Sequence, residues 1–110
     1  MLLAGLFGNE TAEKVLLAIE NSGSAYPRGI ATAFGIAISQ VQRQLERFER
    51  EGVLSSRLVG RTRVYELNPR YLFRDELNAL LKKALKSLPP EVLEKYFTRR
   101  TRPRRRGKPL

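Results

Sequence analysis

The chain contains no cysteine, which excludes a disulfide framework and any thiolate metal site. It contains no histidine either, and that absence removes every Ser-His or Cys-His nucleophile arrangement. Carboxylates are then the only strong anionic ligands left. Most of them fall along helix-patterned segments beside Lys or Arg, so neither a transition-metal site nor a cofactor is expected. No cleft with a general base or nucleophile can be assembled from recognisable motifs, and the chain is expected not to be an enzyme. Long apolar runs are also missing. The opening MLLAGLF lacks a basic start and is far shorter than a membrane span of about 20 residues. It reads as a packing segment of a cytoplasmic protein with no membrane partner.

Negative charge is scarce: 11 acidic against 21 basic residues give a net charge of +10. Such an excess points to a polyanionic partner. Its distribution matters more than its size. Residues 99–110, RRTRPRRRGKPL, hold seven basic residues and no acidic one, which leaves 14 basic against 11 acidic residues, a net +3, for residues 1–98. The tail is expected to be disordered, because its charges repel and its two prolines oppose a helix. It would attract phosphate without regard to sequence, or serve as a solubilising or acidic-partner tail. Residues 1–98 are sufficient for one domain with a modest core.

Within that domain, Asn9 is placed to cap a helix from about Glu10 to Asn21. Glu10 and Glu13 stand in the first turn, where the helix dipole favours them. Ala12, Val15, Leu16, Ala18 and Ile19 form its apolar stripe. After Asn21-Ser22-Gly23-Ser24, Pro27 suits the first turn of a short second helix carrying Ile30, Ala31 and Phe34, and Gly35 suits its end. Val41, Leu45 and Phe48 then recur at spacings of four and three, which a strand cannot place on one face. The spacing predicts a helix over about 38–51, with Gly52 as terminator and Ile36 plugging the core from the preceding turn. Val53 to Val59 and Arg63 to Asn68 flank Gly60-Arg61-Thr62 and read as a β-hairpin. From Arg70 to Leu88 a leucine stripe predicts the longest helix, opposed by Arg74, Lys82, Lys83 and Lys86. Pro89-Pro90 breaks it before a last short helix from Glu91 to Phe97.

Helix, short helix, tight glycine turn, helix and hairpin is the order of a winged helix-turn-helix: a mainly α fold with a small β-hairpin and flanking helices. The segment FGIAISQVQRQLERFEREGVLSSRLVGRTRVYELNP resembles the DNA-binding core of ArsR/MarR-type winged-helix regulators. The flanks LFGNETAEKVLLAI and LNPRYLFRDELNALLKKAL resemble the ArsR-like regulators encoded beside nucleotidyltransferase domains. The likeness covers about residues 6–88. It implies that the helix over 38–51 is a recognition helix lying in the major groove, and that the hairpin over about 53–68 is a wing on the backbone or the minor groove.

On that reading, the outward side of the recognition helix holds Ser39, Gln40, Gln42, Arg43 and Arg47. Arg suits guanine and Gln suits adenine, each bidentate pair discriminating by about 1–3 kcal/mol. Ser39, Arg47 and Arg28 are better placed for phosphate, and Arg61 and Arg63 for the backbone or a narrow minor groove. Outside such an order of elements, surface Arg and Gln commonly form only a solvated face. One departure from the resembled family stands out. Where many relatives place a Ser or Thr as the helix cap, this chain has Ala37, a loss of about 1 kcal/mol. Either Ser39 caps a later start, or a DNA phosphate completes the helix end. Ile38 would then be exposed in the first turn, available to a thymine methyl.

The resemblance also implies a homodimer, with the leucine-striped helix and the N-terminal segment packing across a two-fold axis through Leu2, Leu3, Leu77, Leu80, Leu81 and Leu85. The alternative is that all this apolar surface serves one monomer's core. A dimer would set two recognition helices roughly 34 Å apart. Metal sensing, known in the wider family through Cys or His, has no support here. The expected function is that of a dimeric transcriptional regulator binding specific double-stranded DNA. The alternatives are a protein-interaction module partnering a nucleotidyltransferase, and an RNA-binding protein using the basic tail.

Overall fold

The central helix starts where Asn9, in extended conformation, accepts a hydrogen bond from the Ala12 amide at 2.7 Å through its side chain. This is the computed structural model of the chain, and it describes residues 1–97. The basic tail expected at 99–110 lies outside the described residues. Helix α1 is a single turn, Ala4–Phe7, and α2 runs over Glu10–Ser22. Ala12 and every residue from Val15 to Ile19 are buried in α2, Leu17 among them, which the apolar stripe did not include. The reason is position: α4 packs on one side of α2 and α5 on another, so the helix is enclosed almost all round. An Asn9→Ala variant should lose about 1 kcal/mol of stability, read as a lower urea midpoint at unchanged slope.

Helices α3, Pro27–Phe34, and α4, Ile38–Arg50, form the helix-turn-helix. Pro27 occupies the first helical position and Gly35 closes α3 in the left-handed region at φ 66. Ile36 is half-buried against the core, as expected of a plug. The end of α4 is a Schellman closure. The Val53 amide donates to the Phe48 carbonyl at 2.9 Å and the Gly52 amide to Glu49 at 3.0 Å, with Gly52 at φ 81. Val41, Leu45 and Phe48 all face inward.

Strands β1, Leu54–Val59, and β2, Thr62–Leu67, pair antiparallel from Leu54↔Leu67 to Val59↔Thr62. Thr62 is therefore paired, and the loop is tighter than the three residues expected: only Gly60 and Arg61 turn, with positive φ at Gly60 alone, as in a II′ turn. Ala25 adds a third, single-residue rung. Its amide and carbonyl exchange hydrogen bonds with Tyr65 at 2.9 and 2.8 Å, locking the hairpin to the α2–α3 connection. Asn68 clasps the hairpin's far end, its side chain donating to the Gly52 carbonyl at 3.0 Å.

Helix α5 covers Arg74–Lys86 and α6 covers Pro90–Phe97. The predicted start at Arg70 is four residues early. The Arg70 amide bonds instead to the Asn68 side chain and the Tyr71 amide to the Asn68 carbonyl, so residues 70–73 form turns that leave Leu72 and Phe73 exposed. Helix α6 folds back on α3: Phe34 stacks on Tyr96 at 5.2 Å and meets Phe97 edge-on at 5.4 Å. The Asn21 side chain fixes this end by donating to the Phe97 carbonyl at 2.8 Å. The whole is a winged helix-turn-helix with flanking helices. No helix among the described residues is long and apolar enough to cross a membrane.

Candidate nucleic-acid interface

Helix α4 begins at Ile38 with Ala37 as its cap residue, and no side chain caps it. Of the two alternatives for this helix start, Ser39 as a later cap is thereby excluded. The first turn also holds no acidic residue, so the positive end of the helix dipole carries no side-chain compensation from within α4. The burial of Val41, Leu45 and Phe48 turns Ser39, Gln40, Gln42 and Arg43 outward, and all four are exposed. Ser39, Arg43 and Arg50 lie on one line of the helix, spaced by four and seven. Arg50, exposed as well, was missed in the sequence although its spacing from Arg43 signals it.

Ile38 does not stand free in the first turn. It is half-buried and packs against the core, so it is not the exposed first-turn side chain expected for contact with a thymine methyl. Arg47 also departs from expectation. Its guanidinium donates to the Phe7 carbonyl at 3.0 Å and to Gln44 Oε1 at 2.9 and 3.1 Å, and lies 4.6 Å over the Phe48 ring. Half-buried in this way, it joins α1 to α4 rather than reaching for phosphate. The carbonyl at the end of a one-turn helix needs a donor, and Arg47 supplies it.

The wing carries more positive charge than the sequence reading assigned. Arg61 is exposed at the turn, and Arg57, not among the expected residues, is exposed on β1. Period-two alternation along β1 places Arg57 on the opposite face from Ser56. Arg63, though exposed, is tethered: it donates to Ser56 Oγ at 2.9 Å, and that hydroxyl donates to Glu49 Oε2 of α4 at 2.5 Å. This relay fixes the hairpin's angle to α4. Tyr65, on the same hairpin face as Ser56, has its hydroxyl pKa raised by burial and by the negative charges of Glu49 and Glu46. Arg28 is exposed in the first turn of α3. Among the described residues, Arg28, Arg43, Arg57 and Arg61 have no acidic partner within ion-pair distance.

These placements give α4 a polarity. Its N-terminal half offers open amides, a hydroxyl, two amide side chains and an arginine. Its C-terminal half carries Glu46 and Glu49, which oppose a polyanion, Arg47, which is engaged elsewhere, and the exposed Arg50 at its end. Unpaired positive charge therefore gathers near the α4 N-terminus, at Arg28 and at the hairpin tip. No metal-binding group of three or more carboxylates occurs among the described residues.

The chain is similar in structure to the YusO protein from Bacillus subtilis, solved by X-ray crystallography. The TM-score is 0.55 at 18% sequence identity, covering 78% of this chain and 67% of that one. At that identity the likeness concerns the fold, and it agrees with the helix-turn-helix and hairpin described above. No protein-family model and no curated protein matches the chain.

Proposed function

We propose that this protein is a non-enzymatic, sequence-specific binder of double-stranded DNA that acts as a dimeric transcriptional regulator. The observation that carries the reading is the α4 N-terminus. It is uncapped and free of acidic side chains, with Ser39, Gln40, Gln42 and Arg43 exposed around it. A helix end in that state attracts phosphate through its amides and dipole, while Gln and Arg one turn later match the donor and acceptor edges of adenine and guanine in the major groove. Arg28 supports the same docking from α3, and Arg57 and Arg61 from the wing, as contacts that position without reading sequence.

Selection of bound sequences from random duplex DNA tests the reading. A palindromic motif with half-sites one helical turn apart is the expected result, since a two-fold dimer presents two copies of α4 about 34 Å apart. Enrichment of no motif, or preferential binding of structured RNA, would count against it.

A further inference from the structure

Glu13 is a buried charged residue in the fold, at 1% exposure. Its Oε2 accepts a hydrogen bond at 2.8 Å from the amide of Leu3, the residue that leads into the single-turn helix α1. Its Oε1 is buried and has no hydrogen-bond partner. A carboxylate so placed has unused acceptor capacity, since each oxygen can take two donors. Leaving such capacity unmet in a buried position is costly.

The same residue lines a pocket of about 180 Å³ between α2 and the C-terminal end of α5, walled by Met1, Leu2, Leu17, Ala84, Leu88 and Pro89. Ser87, the C-terminal cap of α5, lines it too, and its hydroxyl hydrogen is committed to the Ala84 carbonyl at 2.8 Å. What Ser87 still offers is an acceptor. The C-terminal end of α5 adds the negative pole of a helix dipole. The basic side chains of that last turn, Lys83 and Lys86, are exposed. A pocket with apolar walls, an unmatched carboxylate oxygen and a hydroxyl left only its acceptor role is complementary to a cation carried on an apolar body.

We propose that this pocket binds a small molecule bearing an ammonium or amidinium group on a short apolar body, with Glu13 as its counter-charge. The positive head donates to Glu13 Oε1, and the body lies against Leu17, Ala84 and Leu88. A cavity of about 150 Å³ holds a benzene-sized molecule, so this one is matched by roughly seven heavy atoms.

Titration of the isotope-labelled full chain with n-hexylammonium, followed by NMR, tests the site, with n-hexanol and hexanoate as probes of the same body. The expected result is saturable binding with shifts confined to residues around Glu13, Leu17, Ala84 and Leu88. It should be at least about tenfold tighter than hexanol, with no saturable response to hexanoate. Glu13→Gln keeps an acceptor for the Leu3 amide and should reduce hexylammonium binding to the level of hexanol. Should that variant fail to fold, Ala84→Leu fills the pocket from the α5 side, and its loss of hexylammonium binding supports the site. Equal affinity for hexanol and hexylammonium, shifts centred elsewhere, no saturable response, or full binding by either folded variant overturns it.

Discussion

Arg43→Ala is expected to weaken binding to the preferred duplex by about 1–3 kcal/mol, roughly five- to 150-fold, while binding to unrelated duplex changes far less. The argument rests on where α4 puts this side chain. Arg43 is exposed on the line between Ser39 and Arg50, four residues from the first and seven from the second, and no described acidic group pairs with it. Nothing in the fold depends on it, so the variant should unfold at the wild-type denaturant concentration. Arg61→Ala serves as the contrast. At the tip of the wing, it should lower affinity for all duplexes by a similar factor and reduce the salt slope by about one. Competition titrations at two salt concentrations separate the outcomes. A uniform loss on Arg43→Ala would reassign Arg43 to phosphate, and no loss at all would remove α4 as the reading helix.

The order of elements was legible because it is written in local signals. Asn9, Pro27, Gly35, Gly52 and Gly60 each mark a boundary by backbone chemistry that acts within a few residues. The spacing of Val41, Leu45 and Phe48 assigned α4 and, by elimination, its outward face. What could not be read depends on partners distant in the chain. Arg47 looks like a free cation until the Phe7 carbonyl, 40 residues away, is brought beside it. Glu13 looks like a dipole-favoured surface residue of a first turn, and only the return of the N-terminal segment buries it under the Leu3 amide. Ala25 carries no strand pattern at all, because a single rung of ladder needs no alternation. The early start assigned to α5 has a different cause: Asn68 captures the next amides in turns, a competition that helical periodicity does not register.

The leucine stripe of α5 divides into two populations, and Leu81→Ala is where they part. Leu81 is fully buried in the single chain, within the same cluster as Leu16, Leu45 and Leu54, so the expectation that it joins a dimer interface is corrected: one protomer already covers it. Leu3, Leu77 and Leu85 are half-buried and also pack on this core. Truncating Leu81 should cost about 2–5 kcal/mol, measured by urea unfolding, and the loss should be the same at low and high protein concentration. Besides Met1 and the wing residues Leu58 and Val59, the exposed apolar surface is Leu2 at 84% exposure, with Leu6, Leu72 and Phe73; Leu80 is half-buried. Leu2 stands near the C-terminal end of α5, and Leu72 and Phe73 immediately precede its N-terminal end. An isologous antiparallel pairing along α5 would therefore set the Leu2 end of each protomer against the Phe73 end of the other. On that arrangement Leu72→Ser, at a side chain 82% exposed, leaves the unfolding midpoint of the dilute chain unchanged and shifts sedimentation toward the 12.6 kDa species. Were the Leu81→Ala loss instead to vanish on dilution, Leu81 would belong to the interface and not to the core of the single chain.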